Sequence, residues 1–307
     1  MTLQQLEYII ALNKTRHFVQ AAESAGVTQP TLSMMIQKLE DELDVKIFDR
    51  SKHPIEVTPI GKKVIDLAQS TVCQIGRIKE VVSNEKGNLT GNFNIAVIPT
   101  VAPYLLPQFF VHFNKKYPDL SFKVSEMHTS VLEKKLVLGE IDMAIASTPL
   151  NNPLILEIPL YYEKFVAYIS PDDELYRCSE LNSNDLRIEN LWILEEGHCF
   201  RSQVFNFCKL SPASNIYEAG SIDTLIKIVD ENGGYTVIPE LHTNSLSENQ
   251  KKNLRMLINP EPVREISLII HQDFIREGQL NAVAETIKQI IPQHMLDQRL
   301  KKFAIKI

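Results

Sequence analysis

Apolar residues in the first 90 positions recur at three- and four-residue spacing, which is typical of amphipathic helices. Leucines and isoleucines form one such stripe within the first ten residues. We expect a short second helix over 19–24 and a third over about 29–43, with Gly26 making a tight turn between them. Thr28 is placed to cap the third helix. Pro30 falls in its first turn, where a missing N–H costs nothing.

The next segment changes its pattern twice. Residues 44–61 alternate apolar and polar positions around an expected turn at 52–54, which predicts a two-stranded wing. From Thr58 to about Ser83 a helical period returns, with more apolar residues than one small domain can cover. We therefore expect this helix to pair with a second copy of itself. Residues 84–92 read as a hinge.

The remainder of the chain alternates strands and helices, which predicts an α/β domain with a parallel sheet. FNIAVIP, LSFKVSE and IDMAIA read as strands and are separated by two helical segments. Residues 160–265 show the same alternation of strands and helices, and ISLIIH reads as a further strand. We predict a domain over 89–307 with two lobes, the first over about 89–160 and 266–307 and the second over about 161–265. A cleft should lie between the lobes.

Composition and charge leave a nucleic-acid partner possible. The 307 residues suit about two domains, and the net charge is −6. Residues 1–88, however, carry 11 basic and 11 acidic side chains, so a local basic face can exist there. No apolar run reaches the length of a membrane span, and the N-terminus has no signal-peptide pattern. We expect a cytoplasmic protein with no membrane contact.

The window from Phe18 to Gln37 has the order helix, tight turn, helix, in which the first helix braces the second against the major groove. Residues near the start of the second helix are the candidates to reach bases: Gln29, Pro30, Thr31, Ser33 and Met34. Basic residues nearby are the candidates for phosphate contacts: Lys38, Arg50, Lys52 and His53. Three-helix subdomains that do not bind DNA share this shape, so the window alone leaves that alternative open.

AAESAGVTQPTLSMMIQKLEDELDVKIFDR, followed by VTPIGKKV, resembles the winged helix-turn-helix of the LysR family of bacterial transcription regulators. The resemblance covers the whole chain. It implies a multidomain α and α/β protein, with a DNA-binding domain over 1–64, a linker and dimerisation helix over 58–88, and a two-lobed, periplasmic-binding-protein-like sensor domain. Gln37 and the Met34–Met35 pair depart from the family's usual residues, which leaves the operator sequence open.

A second segment, ILEEGHCFRSQVFNFCKL, places Cys199 and Cys208 nine positions apart. If Ser202 to Lys209 is helical, the two cysteines lie about 13 Å apart along the axis. A disulfide needs Cα atoms within about 7 Å, so the helix and the bond exclude one another. Cys208 should be buried on the helix's apolar face. Two ordinary core cysteines would give the same spacing, so that alternative stays open.

Cys199 is the better placed nucleophile, because it lies just before the helix, with His198 and Arg201 on either side. The segment also resembles the redox segment of the peroxide-sensing branch of the LysR family. That resemblance implies that Cys199 reacts with peroxide and that Cys208 is its disulfide partner. It further implies that Thr100 and Thr129 line the peroxide pocket, although each threonine alone could instead cap the helix that follows it.

Arg264 matches a cationic position of the same branch that favours the thiolate, with a surface salt bridge as the alternative. Ser202 and His128 depart from the usual residues, and we expect them to change the rate of reaction with peroxide. We expect no cofactor and no metal ion, because CFRSQVFNFC lacks CxxC spacing and has only His198 nearby.

The other notable side chains have ordinary explanations. We take Cys73 and Cys178 as incidental, Trp192 as a packing residue, and the Glu195–Glu196 pair as a solvated strand end.

The resemblance to the peroxide-sensing branch implies an activator of antioxidant genes that responds to hydrogen peroxide, not an enzyme. The expected partners are promoter DNA, further copies of the chain in a dimer and tetramer, RNA polymerase, and a glutaredoxin or thioredoxin as reductant. One rival is a LysR-type regulator whose inducer is a small molecule in the cleft. The other is a thiol peroxidase, which would leave the first 88 residues without a role.

Overall fold

A computed structural model of the protein describes residues 1–85, 91–208, 218–259 and 261–304. They form two compact units. The first contains residues 1–85 grouped with Val137–Glu140, and the second contains the other described residues. Within the described ranges, no helix is long and apolar enough to cross a membrane.

Ten α-helices and twelve strands are found in the described residues. The helices are α1 Leu3–Thr15, α2 Phe18–Ser24, α3 Gln29–Leu43, α4 Pro59–Glu85, α5 Ala102–Lys116, α6 Thr129–Val137, α7 Cys199–Cys208, α8 Ile222–Asn232, α9 Glu248–Lys251 and α10 Glu277–Ile290. The strands are β1 Phe48–Asp49, β2 Glu56–Val57, β3 Gly91–Val97, β4 Leu120–Glu126, β5 Met143–Thr148, β6 Ile155–Ile169, β7 Glu180–Asn182, β8 Ile193–Leu194, β9 Glu218–Ala219, β10 Tyr235–Pro239, β11 Leu254–Ile258 and β12 Val263–His271.

The N-terminal unit is a three-helix core with a wing, as the sequence predicts. Thr2 and Gln5 form a capping box that starts α1, and Thr28 caps α3 with Pro30 in its first turn. Gly26 takes a positive φ of 67° in the turn between α2 and α3, which favours glycine. Antiparallel β1 and β2 make the wing.

The long helix α4 carries apolar residues on more than one face. Ile65 and Ala68 are buried against the N-terminal core. Leu67 and Ile78, by contrast, are 71% and 63% exposed. Part of the apolar surface predicted on this helix is therefore exposed in the part of the N-terminal unit that the structure describes.

The C-terminal unit contains an eight-stranded sheet in the order β4-β3-β5-β12-β6-β11-β7, with β10 also paired to β6. The parallel arrangement predicted for the first three strands of this unit is confirmed, but the sheet as a whole is mixed. β3 is parallel to both β4 and β5, but β12 is antiparallel to β5 and to β6. The returning strand β12 enters the sheet in the opposite direction because the chain comes back to the first lobe from the second.

The 15-residue strand β6 joins the two lobes, and the sequence pattern predicts only its second half. Its first part pairs with β12, and its last residues pair with β10 and β11. Pro159 lies at a register irregularity between β6 and β12, which is where a strand accommodates a proline. A proline and several charged residues in this stretch hide the strand from a pattern search.

The second lobe has its own apolar core, to which α7, α8 and β10 contribute. Strand β8 is only two residues long and pairs in parallel with β9. Helix α10 follows β12 and was not predicted from the sequence.

Candidate functional site

Cys199 and Cys208 are the first and last residues of α7, so one ten-residue helix carries both. Both are reduced and buried, with 8% and 4% of their surfaces exposed. Nine rises of about 1.5 Å separate them by about 13.5 Å along the axis. No disulfide can form while α7 is intact. The helix expected from Ser202 starts three residues earlier, so Cys199 is its first residue and does not precede it. The expected end at Lys209 lies outside the described residues.

Helix α7 is fixed by its apolar face. Phe200 and Phe207 pack on the Phe165 ring of β6, with ring centroids 4.9 and 5.2 Å away. Val204 is 2% exposed in the same core. Burial raises the pKa of the Cys208 thiol to about 12, so this cysteine is protonated and unreactive in the coiled state.

A buried amide adds a polar tether. Gln203 lies in the middle of α7, is fully buried, and donates from Nε2 to Ser147 Oγ of β5 at 3.0 Å. Its Oε1 atom has no hydrogen-bond partner. The Ser147 hydroxyl donates in turn to the Glu265 carbonyl on β12. This chain connects α7 to the central strands, and uncoiling α7 would break it.

A cavity of about 280 Å³ opens beside the first turn of α7. Its walls come from the start of α6, the loop after β5 and the start of α7. The lining residues are Thr129, Ser130, Glu133, Pro149, Leu150, Asn151, Gly197, His198, Cys199 and Ser202. Cys199 therefore borders a space large enough for a small polar molecule.

The structure separates the two threonines that the resemblance places in the pocket. Thr129 lines the cavity, and its Oγ1 is buried without a hydrogen-bond partner. Thr100 is buried, but it is not among the lining residues. Its hydroxyl accepts a hydrogen bond from Arg264 Nη1 at 2.9 Å, and its carbonyl accepts one from Nη2 at 3.0 Å.

Arg264 is fully buried, so the alternative of a surface salt bridge is wrong. Its Nε and Nη2 atoms donate to Glu163 Oε2 at 2.9 and 2.7 Å. The Tyr104 hydroxyl donates a hydrogen bond to the same oxygen, Glu163 Oε2, at 2.9 Å. The backbone N–H of Leu241 donates to the other carboxylate oxygen at 3.0 Å. This network connects β6, β12, α5 and the Thr100 loop.

Arg264 keeps its positive charge although it is buried. Burial opposes that charge, but the Glu163 carboxylate, helped by Tyr104, Tyr161 and Cys199, holds the pKa of Arg264 above its usual range. The guanidinium lies over the Phe200 ring at 5.1 Å, next to Cys199 in the chain. Arg264 is thus a permanent buried cation close to the start of α7.

The two residues expected to flank the thiolate are placed differently. Burial, reinforced by His128, lowers the pKa of His198, so this imidazole is neutral near pH 7. Arg201 donates from Nη1 to the Leu194 carbonyl at 2.9 Å and lies over the Phe205 ring. Arg264, rather than His198, supplies the buried positive charge.

The remaining single residues largely match their ordinary explanations. Trp192 is half-buried and donates to the Gly233 carbonyl at 2.8 Å. Cys178 is exposed and Cys73 half-buried. Glu195 and Glu196 are both exposed, as a solvated strand end would be. Glu195 nevertheless faces two histidines, which the sequence does not reveal.

The candidate base-reading residues form an exposed group at the start of α3. Gln29, Pro30, Thr31 and Met34 are exposed, and Ser33 is half-buried. The candidate phosphate contacts Lys38, Lys52 and His53 are also exposed. Their accessibility fits a DNA-facing surface on the N-terminal unit.

Arg50 differs from the other basic candidates. It donates from Nη2 to Glu40 Oε2 at 3.0 Å and lies over the Phe18 ring. The buried Glu40 carboxylate also accepts the backbone N–H groups of Ile47 and Phe48. The ion pair between Arg50 and Glu40 therefore holds the wing against α3. If Arg50 also contacts a DNA phosphate, as predicted, its guanidinium binds the phosphate and Glu40 at the same time.

The sequence pattern missed Glu163, Tyr104, Gln203 and Glu40. The only signal for the two glutamates is a charge at an apolar position: Glu163 stands in a run of buried strand residues, and Glu40 follows the core residue Leu39. A buried charge needs a partner, but the sequence does not name which arginine supplies it.

Two family models match the chain. Residues 3–62 match the bacterial regulatory helix-turn-helix protein of the lysR family, and residues 86–291 match the LysR substrate binding domain.

Individual relatives agree with both models. The "Hydrogen peroxide-inducible genes activator" of Haemophilus influenzae is 33% identical over 95% of this chain and 99% of its own length. A full-length OxyR structure from Pseudomonas aeruginosa is 31% identical, covers 94% of this chain and 98% of its own, and superposes with a TM-score of 0.77. An H2O2-bound variant of OxyR from Corynebacterium glutamicum is 26% identical, with coverages of 100% and 97% and a TM-score of 0.63.

Proposed function

The chain belongs to the LysR family of bacterial helix-turn-helix transcription regulators, and from that premise we propose that it is a hydrogen-peroxide-responsive activator switched by a reversible Cys199–Cys208 disulfide. One observation carries the proposal. The two cysteines end a single buried helix, and the first of them borders a small cavity with an unpartnered hydroxyl.

The first step takes place at the cavity. H2O2 occupies it, with Thr129 Oγ1 as a hydrogen-bond partner that orients the O–O bond. The Cys199 sulfur attacks one peroxide oxygen as the thiolate. The O–O bond breaks, and the second oxygen leaves as hydroxide and takes up a proton to give water. Sulfur is oxidised to a sulfenic acid as the peroxide is reduced.

The second step requires α7 to uncoil. Cys208 leaves the core, and its sulfur attacks the sulfenic sulfur of Cys199. An S–S bond forms, the S–OH bond breaks, and the hydroxide combines with the Cys208 proton to give a second water. The disulfide then keeps α7 from re-forming, because the coiled helix holds the cysteines too far apart. The result is a two-state element with a covalent trigger.

The altered second lobe is read out as a change in DNA binding. Gln29, Thr31 and Met34 reach base edges, and the exposed basic residues contact phosphates. Copies of the chain pair through the exposed apolar face of α4, which carries Leu67 and Ile78, and pair again through their sensor domains. We propose RNA polymerase recruitment as the output and a glutaredoxin or thioredoxin as the reductant that resets the switch.

The groups that line the cavity, not its size, favour peroxide over a metabolite inducer. Cys199 borders the cavity, and Thr129 Oγ1 is buried there without a hydrogen-bond partner. A peroxide can react with the thiol and accept a hydrogen bond from the hydroxyl, whereas an inducer that only binds needs no thiol.

Thiol titration of the full-length chain after an equimolar H2O2 pulse tests the proposal. Wild type should lose two thiols rapidly, and Cys199→Ser should lose none. Cys208→Ser should retain a sulfenic acid that dimedone traps. Cys178→Ser is the matched control and should behave as wild type does. Rapid loss of two thiols in Cys199→Ser, or no loss in wild type, would refute the disulfide switch.

A further inference from the structure

A second cluster of polar side chains lies beside the reactive cysteine. His128 directly precedes α6, Glu195 follows β8, and His198 directly precedes α7. One ligand atom from each residue lies within 4.8 Å of the other two. The sequence alone suggests only His198 as a metal ligand here. The fold adds the other two from a neighbouring loop and a distant turn.

One nitrogen of each histidine is buried without a hydrogen-bond partner. His198 is 5% exposed, and its Nε2 is buried without a hydrogen-bond partner. Nδ1 of His128 is also buried without a partner. The two rings meet edge to face, with centroids 4.4 Å apart. Buried polar atoms are nearly always satisfied, so two neighbouring unpaired nitrogens call for an unseen partner.

The other nitrogen of His198 is already oriented. The ring forms a hydrogen bond with the backbone of Gly220, which leaves the lone pair of Nε2 directed away from that contact. Metal-binding histidines are typically held in this way, with one nitrogen on a backbone carbonyl and the other on the ion. Glu195 lies near the same glycine and adds a carboxylate.

We propose that His128, Glu195 and His198 form a binding site for one divalent transition-metal ion of the zinc type. Two imidazoles and one carboxylate are a known zinc donor set, with the fourth position left for water. A tetrahedral ion holds its ligand atoms about 3.3–3.5 Å apart, so the three residues need only draw together slightly. The exposed Glu195 side chain can make most of that movement.

A bound ion would also act on the switch, an effect that rests on the proposed function. It would connect the start of α6 to the residue before Cys199 and so restrain the first turn of α7. It would also occupy space beside the cavity that His198 lines. The ion-loaded chain should therefore lose its Cys199 thiol to peroxide more slowly than the ion-free chain.

Zinc binding to the full-length chain, measured by competition with a chromophoric chelator, tests the site. Glu195→Gln and His128→Ala should each weaken binding by at least about tenfold, since even outer partners of metal ligands contribute that much. Glu195 is exposed, so Glu195→Gln removes the carboxylate without altering the apolar core. The exposed His112 on α5 provides the matched control, and His112→Ala should bind zinc as wild type does.

Two further experiments distinguish zinc binding at this site from zinc binding by the cysteines, and distinguish failure of the zinc site from failure of the proposed switch. A Cys199→Ser, Cys178→Ser chain should still bind one equivalent of zinc, and loss of binding there would show a thiol site and overturn the proposal. No binding to wild type, or full binding to Glu195→Gln and His128→Ala, would also overturn it. If peroxide oxidises no thiol with or without zinc, the proposed function fails while the binding result stands.

Discussion

Removing core contacts from α7 should make the switch easier to oxidise. Val204→Ala deletes two methyl groups from a side chain that is 2% exposed in the second-lobe core. At about 0.8 kcal/mol per buried group, the coiled state loses about 1.6 kcal/mol. If the oxidised state has released Val204 from the core, the balance between coiled and uncoiled α7 shifts by about 15-fold. The same energy corresponds to a reduction potential about 35 mV more negative.

Equilibration of the full-length chain in glutathione buffers measures that potential, with thiols counted by mass-tag alkylation. Val229→Ala is the matched control. Val229 is fully buried in the same core but lies on α8, outside the segment between Cys199 and Cys208. It should lose comparable stability and keep the wild-type potential. Equal shifts in the two variants, or no shift in Val204→Ala, would refute the claim that oxidation extracts α7 from the core.

Three other predictions follow from separate parts of the chain. In DNA-binding titrations, Gln29→Ala should reduce the preference for the specific sequence over other sequences. Lys52→Ala should weaken binding to all sequences equally and lower the slope of log affinity against log salt concentration by up to about 1. If the two variants give the same titration curves, the start of α3 does not read bases as proposed. Glu163→Gln leaves the charge of Arg264 buried without its partner and should cost about 3–5 kcal/mol in urea unfolding, whereas an unchanged midpoint would show that the pair is dispensable. Burial raises the pKa of Cys208 to about 12 from 9.0, so the folded chain keeps a proton that the unfolded chain loses in that range. Stability present below pH 9 should decline towards pH 12, and Cys208→Ala should show a smaller decline in unfolding free energy.

The sequence predicts the N-terminal unit well because its signals are local. Thr28, Pro30 and Gly26 each determine backbone geometry within one turn, and the structure confirms all three. The period of α4 likewise appears in the chain itself. Local patterns do not predict a strand that contains residues which are uncommon in strands. Strand β6 is such a case, because it contains a proline and several charged residues. The direction of β12 also depends on the return between lobes, which no local pattern encodes.

The candidate site was predictable as far as its residues share one segment. Spacing alone gives the conflict between α7 and a bond from Cys199 to Cys208, and burial of Cys208 is confirmed. The partners that tune the site come from elsewhere. Glu163 meets Arg264 only because β6 and β12 are neighbours, and His128 meets His198 only because α6 and α7 start at the same cavity. Contacts between residues that are this far apart in the sequence depend on tertiary packing, which local sequence patterns do not encode.

Amide hydrogen exchange of the peptide spanning 199–208, followed by mass spectrometry before and after stoichiometric H2O2, addresses the switch most directly. The same spectra report whether Cys199 and Cys208 are linked, through the loss of two hydrogen masses. The account predicts slow exchange in the thiol state and fast exchange across this peptide once the bond is present. A linked peptide that keeps its protection would contradict it, because a coiled α7 cannot contain the bond.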